Sequence, residues 1–389
     1  MKKFILILTL LLSLQAVEAQ EVVGRMPQGW QPLTTYPMAW SGEGNFEEWR
    51  SEVRAKVVEL MGIAPEAPQT TSYRIVTSED REGYVAHKIE FEVSRGNWVL
   101  AYLLIPKGEG PFPALVALHD HGAKFSIGKE KMVRPIAESA EVVAEAEAWV
   151  TKNYDGVFTG DWFASQGYVV LATDALLWGN RGEGEEGRQT NYDTQQALAS
   201  NCLKLGTTLV GLITWDDLRS IDFLAAQPNV DASRIGIYGH SMGGHRAWMA
   251  AALSDKVAAV ASVCWMATSD ALLALGNNEL KGGSAFTMQI PFLSRWLDNP
   301  DVASLICPRP ALFISGTKDK LFPRGVEEAY GKMGRVWLSR QAGDRLRCER
   351  YDAPHCFNLE MQEAVRLFFE CALLVNFAPN FLNKSHSRS

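Results

Sequence analysis

The spacing of apolar residues changes along the chain, and each change predicts a different element. Between Asn45 and Gly62, the residues Phe46, Trp49, Val53, Val57 and Leu60 recur at helical intervals. Asn45 is placed to cap the first turn, with Glu48 three residues on, so a helix with one buried face is expected. A helix of that length is marginal alone in water and should pack on a larger body. From Tyr73 to Pro106 the period falls to two. Residues 87–93 alternate, Arg95-Gly96-Asn97 makes a turn, and residues 98–105 return, which is the pattern of a meander entering a sheet.

Beyond Pro113 the apolar runs lose their alternation. Residues 114–118, 168–171, 234–238, 257–263 and 311–314 are short and bounded by turns, as strands buried on both faces are. Helical stretches separate them: Leu212, Trp215, Leu218, Ile221 and Leu224 form one stripe, and residues 363–374 close the chain. This alternation predicts an α/β fold, with a mostly parallel sheet covered by helices on both faces and an N-terminal extension. Two connections, from Ala123 to about Asp161 and from Asp174 to about Gly206, far exceed the usual length of roughly two to six residues. Both leave the carboxyl ends of strands, where open α/β sheets bind ligands, and are expected to wall a pocket.

Composition narrows the class. Of 389 residues, 47% are hydrophobic and 21% charged, which excludes a disordered chain and a polytopic membrane protein. The net charge of −7 gives no support to a basic nucleic-acid-binding face. Lys2 and Lys3 precede an apolar run over 4–14, and small residues at Val17 and Ala19 follow. This reads as a secretory signal over residues 1–19, too short in its apolar part for a stable membrane anchor. The mature chain is expected to start at Gln20 and, with no cysteine before Cys202 to carry a lipid, to be periplasmic or secreted. The expected division is an arm and helix over 20–72, a catalytic domain over 73–378 and a flexible tail over 379–389. The six cysteines are scattered without a C-x-x-C, so neither a disulfide framework nor a zinc site is expected.

The chemistry concentrates at Gly239-His240-Ser241-Met242-Gly243, between an apolar strand and a helix rich in small residues. A serine held on a sharp strand-to-helix turn is exposed to a base, and glycines on both sides let the backbone take that turn. Such an elbow is followed in the chain by its acid and then its histidine. Of the seven histidines, His355 and His386 follow the elbow helix, and His386 lies in the polar tail, which leaves His355. The acid should end a strand between them. Asp319 lies in the loop after residues 311–314, framed by Gly316 and Pro323, and Asp270 is its rival; Asp352 is too close to His355 along the chain. Two backbone donors are expected for the oxyanion: the N–H of Met242, and that of Ala123 in the loop Leu118-His119-Asp120-His121-Gly122-Ala123. A metal site at His119, Asp120 and His121 would need ligands from elsewhere, and no metal is expected.

Together, Gly239-His240-Ser241-Met242-Gly243-Gly244, the His121-Gly122 loop, Asp319 and His355 resemble the α/β-hydrolase superfamily, in particular its dienelactone hydrolase and acetyl xylan esterase-like branch. The resemblance spans about residues 73–377. It implies hydrolysis of an ester through an acyl-enzyme, without a cofactor. Dienelactone hydrolases proper use cysteine, whereas this chain has Ser241, an N-terminal extension and a signal, which shifts weight to the esterases.

An exported esterase with long pocket walls and twelve tryptophans points to an acylated or methylated carbohydrate as its partner. Trp178 and Trp265 are expected near the mouth, to stack on sugar or else to fill the core. Arg181 is a candidate for a uronate carboxylate or for a structural ion pair, and residues 182–187 read as a solvated loop tip. The alternatives are a serine peptidase of the same fold and a non-catalytic glycan-binding protein on a hydrolase scaffold.

Overall fold

The computed structural model describes residues 35–185, 187–273 and 286–374. The expected signal at 1–19, the arm up to residue 34, the tail at 379–389 and His386 lie outside them. Helix α1 (Phe46–Met61) starts where Asn45 Oδ1 accepts the N–H groups of Glu47 and Glu48, and it stops at Gly62. Its buried residues Phe46, Val53, Val57 and Met61 face the main body, and Arg50 and Arg54 both pair with Asp255.

Among the described residues nine strands form one sheet: β1 (Tyr73–Arg81), β2 (Tyr84–Ser94), β3 (Asn97–Pro106), β4 (Phe112–Leu118), β5 (Val169–Thr173), β6 (Val230–His240), β7 (Ala259–Val263), β8 (Ala311–Gly316) and β9 (Leu346–Tyr351). Their spatial order is β1-β2-β3-β5-β4-β6-β7-β8-β9. The first three make the expected antiparallel meander, β3 joins β5 antiparallel, and the remaining pairs are parallel.

The other described α-helices are α2 (Ala140–Asn153), α3 (Thr159–Ser165), α4 (Tyr192–Lys204), α5 (Leu209–Ala225), α6 (Met242–Leu253), α7 (Ser269–Leu273), α8 (Asn299–Ala303), α9 (Val326–Ser339) and α10 (Leu359–Phe369). The pleat divides the core in two. Val116 of β4 belongs to one buried cluster with Val53, Ile213, Trp248 and Met333 from α1, α5, α6 and α9; Leu115 belongs to the other with Val150, Phe163 and Val365 from α2, α3 and α10. Each such side chain, fully buried, contributes about 1.5–3 kcal/mol relative to exposure.

One expected face is rotated. In α5 the deep positions are Ile213, Asp217, Ile221 and Leu224, while Leu212, Trp215 and Leu218 are half-buried. The reason is ionic. Asp217 accepts two hydrogen bonds from Arg246 of α6, so a carboxylate and not a leucine occupies the helix contact. The chain leaves β4 for β5 on one side and returns to β6 on the other, so a crevice opens at the carboxyl ends of β4 and β6, where ligands bind in such sheets.

Candidate active site

The elbow forms as its glycines require. Ser241, between the end of β6 and the start of α6, has φ 55° and ψ −122°, a conformation of order 1–3 kcal/mol less favourable for a residue with a Cβ. Its N–H is held by Val263 O at 2.8 Å. A Cβ at residue 243 would stand 2.0 Å from Leu118 O, so glycine there lets α6 close on the end of β4.

Three distant segments converge on this serine. The Ser241 hydroxyl lies 2.8 Å from His355 Nε2, and His355 Nδ1–H donates to Asp319 Oδ2 at 2.7 Å. Asp319 Oδ1 takes the N–H of Leu321 at 2.8 Å. The alternative acid, Asp270, instead accepts a hydrogen bond from the hydroxyl of Tyr36. His240, beside the serine, is buried with neither ring nitrogen hydrogen-bonded among the described residues. Burial, and then the proximity of His355, push its pKa down to about 3, so it stays neutral.

Met242 is buried at the first position of α6, where backbone N–H groups have no intrahelical partner. Ala123 lines the cavity, but its N–H is occupied by His121 Nδ1 at 3.0 Å. The donor expected there is therefore already engaged, because the His121 ring folds back over its own loop.

A cavity of ≈190 Å³ opens over Ser241, His355 and Gly122, with Trp149, Tyr192, Trp265, Met288, Leu321 and Phe322 as its apolar walls. Trp149 and Tyr192 come from the two long connections, which do wall the pocket. Trp265 is brought to the site; it also borders a second cavity of ≈280 Å³ on the side of His245 and Leu293. Trp178 is not at the mouth. It is wholly buried, packs on His121 and Phe125, and donates its Nε1–H to His121 O at 3.1 Å, so no sugar reaches it. Arg181 is likewise no ligand for a uronate, since it pairs with Asp216 at 2.7 Å and donates to Asp174 O at 3.2 Å.

A buried ionic group behind the pocket was not foreseen. Lys129, Glu130 and Lys131 form a short turn with no exposed surface. Lys129 Nζ binds Asp174 Oδ2, Glu130 Oε1 and Asn180 Oδ1 at 2.8, 2.9 and 2.6 Å. Lys131 Nζ binds Asp120 O and His121 O at 3.0 and 3.1 Å. Burial disfavours the Asp120 charge, but Lys131 and the hydrogen bonds from Tyr154 and Trp149 outweigh it and hold the carboxyl well below its usual range. The sequence carries no local signal for it, since three ionic residues in a row resemble solvated surface.

Apart from His240, the side chains here that could offer metal donors have hydrogen-bond partners among the described residues. His119 has Asp120 O at 2.8 Å from Nδ1 and accepts Ala175 N–H at Nε2. Cys264, which clusters with His240 and His355, donates to Cys356 O, and burial pushes its thiol far up. Both nitrogens of His355 are already used. All six cysteines are unpaired.

A model of the abhydrolase family matches residues 12–336. YtaP of Bacillus subtilis (strain 168), named as a hydrolase, is 27% identical over 337 residues, which cover 86% of this chain and 99% of YtaP. A Bacteroides fragilis NCTC 9343 protein described as an acetyl xylan esterase superposes with a TM-score of 0.63 at 18% identity, over 82% of this chain and 80% of its own. A glucuronoyl esterase from Solibacter usitatus gives a TM-score of 0.61 at 16% identity, over 88% and 98%. These likenesses establish the α/β-hydrolase fold.

Proposed function

This chain belongs to the abhydrolase family, and from that premise we propose that it is an exported serine carboxylic-ester hydrolase that removes acetyl or related acyl groups from a polysaccharide. The observation that carries the reading is the chain of hydrogen bonds from Ser241 through His355 to Asp319 at the floor of an aromatic cavity.

On this reading Ser241 Oγ attacks the ester carbonyl while His355 Nε2 takes its proton. Asp319 keeps His355 in the Nδ1–H tautomer and offsets the imidazolium charge. The oxyanion forms at the amino terminus of α6, facing the Met242 N–H and a donor from the 121–123 loop. His355 then protonates the leaving alcohol, and a water activated by the same ring hydrolyses the acyl-enzyme. No step calls for a cofactor.

Substrate class follows from the walls. Trp149 and Tyr192 offer accessible apolar faces, the nearly buried Trp265 and Phe322 back the cavity, and no lysine or arginine among the described residues lines it. That favours a neutral acyl group on a sugar over a substrate recognised by a free carboxylate. Export rests on the signal at residues 1–19, and the reading keeps 20–72 as an arm and helix ahead of a catalytic domain over 73–378; no described helix is long and apolar enough to cross a membrane.

The test is acetate release from an aryl acetate and then from acetylated, feruloylated and methyl-esterified polysaccharides, with Ser241→Ala as control. The expected outcome is fluorophosphonate labelling of the wild type and loss of both labelling and turnover in the variant. Turnover undiminished in Ser241→Ala, or glycan binding without turnover, would overturn the reading.

A further inference from the structure

The His121 carbonyl, in the loop after β4, accepts two hydrogen bonds: one from Lys131 Nζ at 3.1 Å and one from Trp178 Nε1–H at 3.1 Å. The same ammonium reaches Asp120 O at 3.0 Å and Asp120 Oδ1 at 3.4 Å. It has no exposed surface and lies 5.0 Å from the centre of the Trp149 ring. Burying an ammonium is unfavourable unless its donors are satisfied. Here three acceptors of a single loop satisfy it, so what the cation secures is that loop.

The orientation follows from peptide geometry. The His121–Gly122 bond is trans, so the Gly122 N–H points opposite to the His121 carbonyl, away from Lys131 and Trp178. It has no hydrogen-bond partner among the described residues, whereas the next N–H, of Ala123, is taken by His121 Nδ1. Gly122 borders the cavity that holds Ser241. A Cβ at this position would stand 2.2 Å from the Trp149 ring, so the backbone is pressed against an indole that is itself hydrogen-bonded to Asp120.

We propose that Lys131 and Trp178 are positioning residues that clamp the His121 carbonyl and so aim the Gly122 N–H at the substrate as the second oxyanion donor, beside Met242. The inference rests on the esterase reading above. The clamp acts on a donor whose hydrogen bond strengthens as negative charge develops, so loosening it lowers kcat and leaves KM nearly unchanged. The cation also polarises the peptide whose N–H does the donating.

Trp178→Phe removes one donor to the carbonyl and leaves a smaller aromatic ring in its place. Lys131→Met removes the cation at similar length, and Lys131→Met/Asp120→Asn does so without leaving a carboxylate unpaired. Each is measured for kcat and KM on an aryl acetate, for affinity towards a boronic acid that forms a tetrahedral adduct with Ser241, and for melting temperature. The expected result is a fall in kcat of about tenfold in Trp178→Phe and about a hundredfold in the Lys131 variants, with KM within about twofold. Boronate affinity should fall in parallel with kcat. Folded variants with kcat within twofold of wild type, or with lowered kcat and unaltered boronate affinity, would overturn the inference. If the Lys131 variants do not fold, Trp178→Phe decides, because it loosens the same peptide. A wild type without esterase activity overturns the esterase reading and this inference with it, whereas an active wild type with unaffected variants overturns the inference alone.

Discussion

Asp319 and His355 meet at 2.7 Å, ring Nδ1–H to Oδ2, while the other carboxylate oxygen is held by the Leu321 N–H at 2.8 Å. The carboxylate therefore has one orientation, and its substitution has a definite consequence. In Asp319→Asn the amide oxygen keeps the Leu321 N–H and the amide nitrogen turns to His355, which must then accept at Nδ1 and carry its proton on Nε2. That nitrogen can no longer receive the Ser241 proton. We expect kcat on aryl acetates to fall on the order of 10⁴-fold with little change in thermal stability. A loss smaller than tenfold would mean that Asp319 does not set the tautomer.

Two glycine-to-alanine substitutions should act in opposite directions. In Gly243→Ala the new methyl carbon stands 2.0 Å from Leu118 O, a backbone atom at the end of β4 that cannot yield without moving the strand. In Gly334→Ala, within α9, the methyl meets nothing within 4 Å. Urea unfolding should show Gly334→Ala stabilised by about 0.5–1 kcal/mol. Gly243→Ala should be strongly destabilised and lose fluorophosphonate labelling of Ser241, because α6 can no longer close on β4.

The meeting of Ser241, His355 and Asp319 was legible because each sits in a locally recognisable segment. Glycines flank a serine between a strand and a helix, and chain order assigns the other two. The α/β alternation and the antiparallel meander were legible for the same reason. What lay outside such reading depends on where a side chain points after a strand ends. Trp178 and Arg181 follow β5 as expected, yet one turns under His121 and the other turns to Asp216 on α5. The triplet Lys129 to Lys131 resembles solvated surface until Asp174 and the carbonyls of Asp120 and His121 are brought to it. The rotation of α5 likewise needed Arg246, which sits on a different helix, to draw Asp217 inward.

That ion pair makes its own prediction. Arg246 donates from Nε at 3.0 Å and Nη2 at 2.7 Å to the two oxygens of Asp217, and both residues are almost fully buried. Removing one partner leaves the other charge without solvent or counter-ion. Asp217→Ala and Arg246→Ala should each lose about 3–5 kcal/mol of stability by chemical denaturation. Replacing the pair together, as Asp217→Leu/Arg246→Met, should recover most of that loss. Equal destabilisation by the double and single variants would show that packing, and not the charges, dominates there.

Four buried histidines set the acid limit of the fold. Burial, chiefly, pushes the rings of His240 and His245 down to about 3, that of His121 to about 4, and that of His119 well below its usual value. Each is neutral in the folded protein and titrates near its ordinary pKa when unfolded. The stability this confers is fully present above about pH 6.5 and is lost as the pH falls from there towards the folded values, because only the unfolded chain takes up the protons. Between pH 7 and 5.5 that is about 1 kcal/mol for each ring. Asp174, Asp217 and Asp301 oppose the trend, since burial raises their carboxyl pKa values, that of Asp301 to about 6, and the folded chain protonates first. Three carboxyls oppose four rings, so the histidines prevail. The melting temperature should drop by several degrees from pH 7 to pH 5.5, and His245→Gln should flatten that slope by about a quarter, one ring of the four. An unchanged melting temperature across this range would show that the rings are not held neutral.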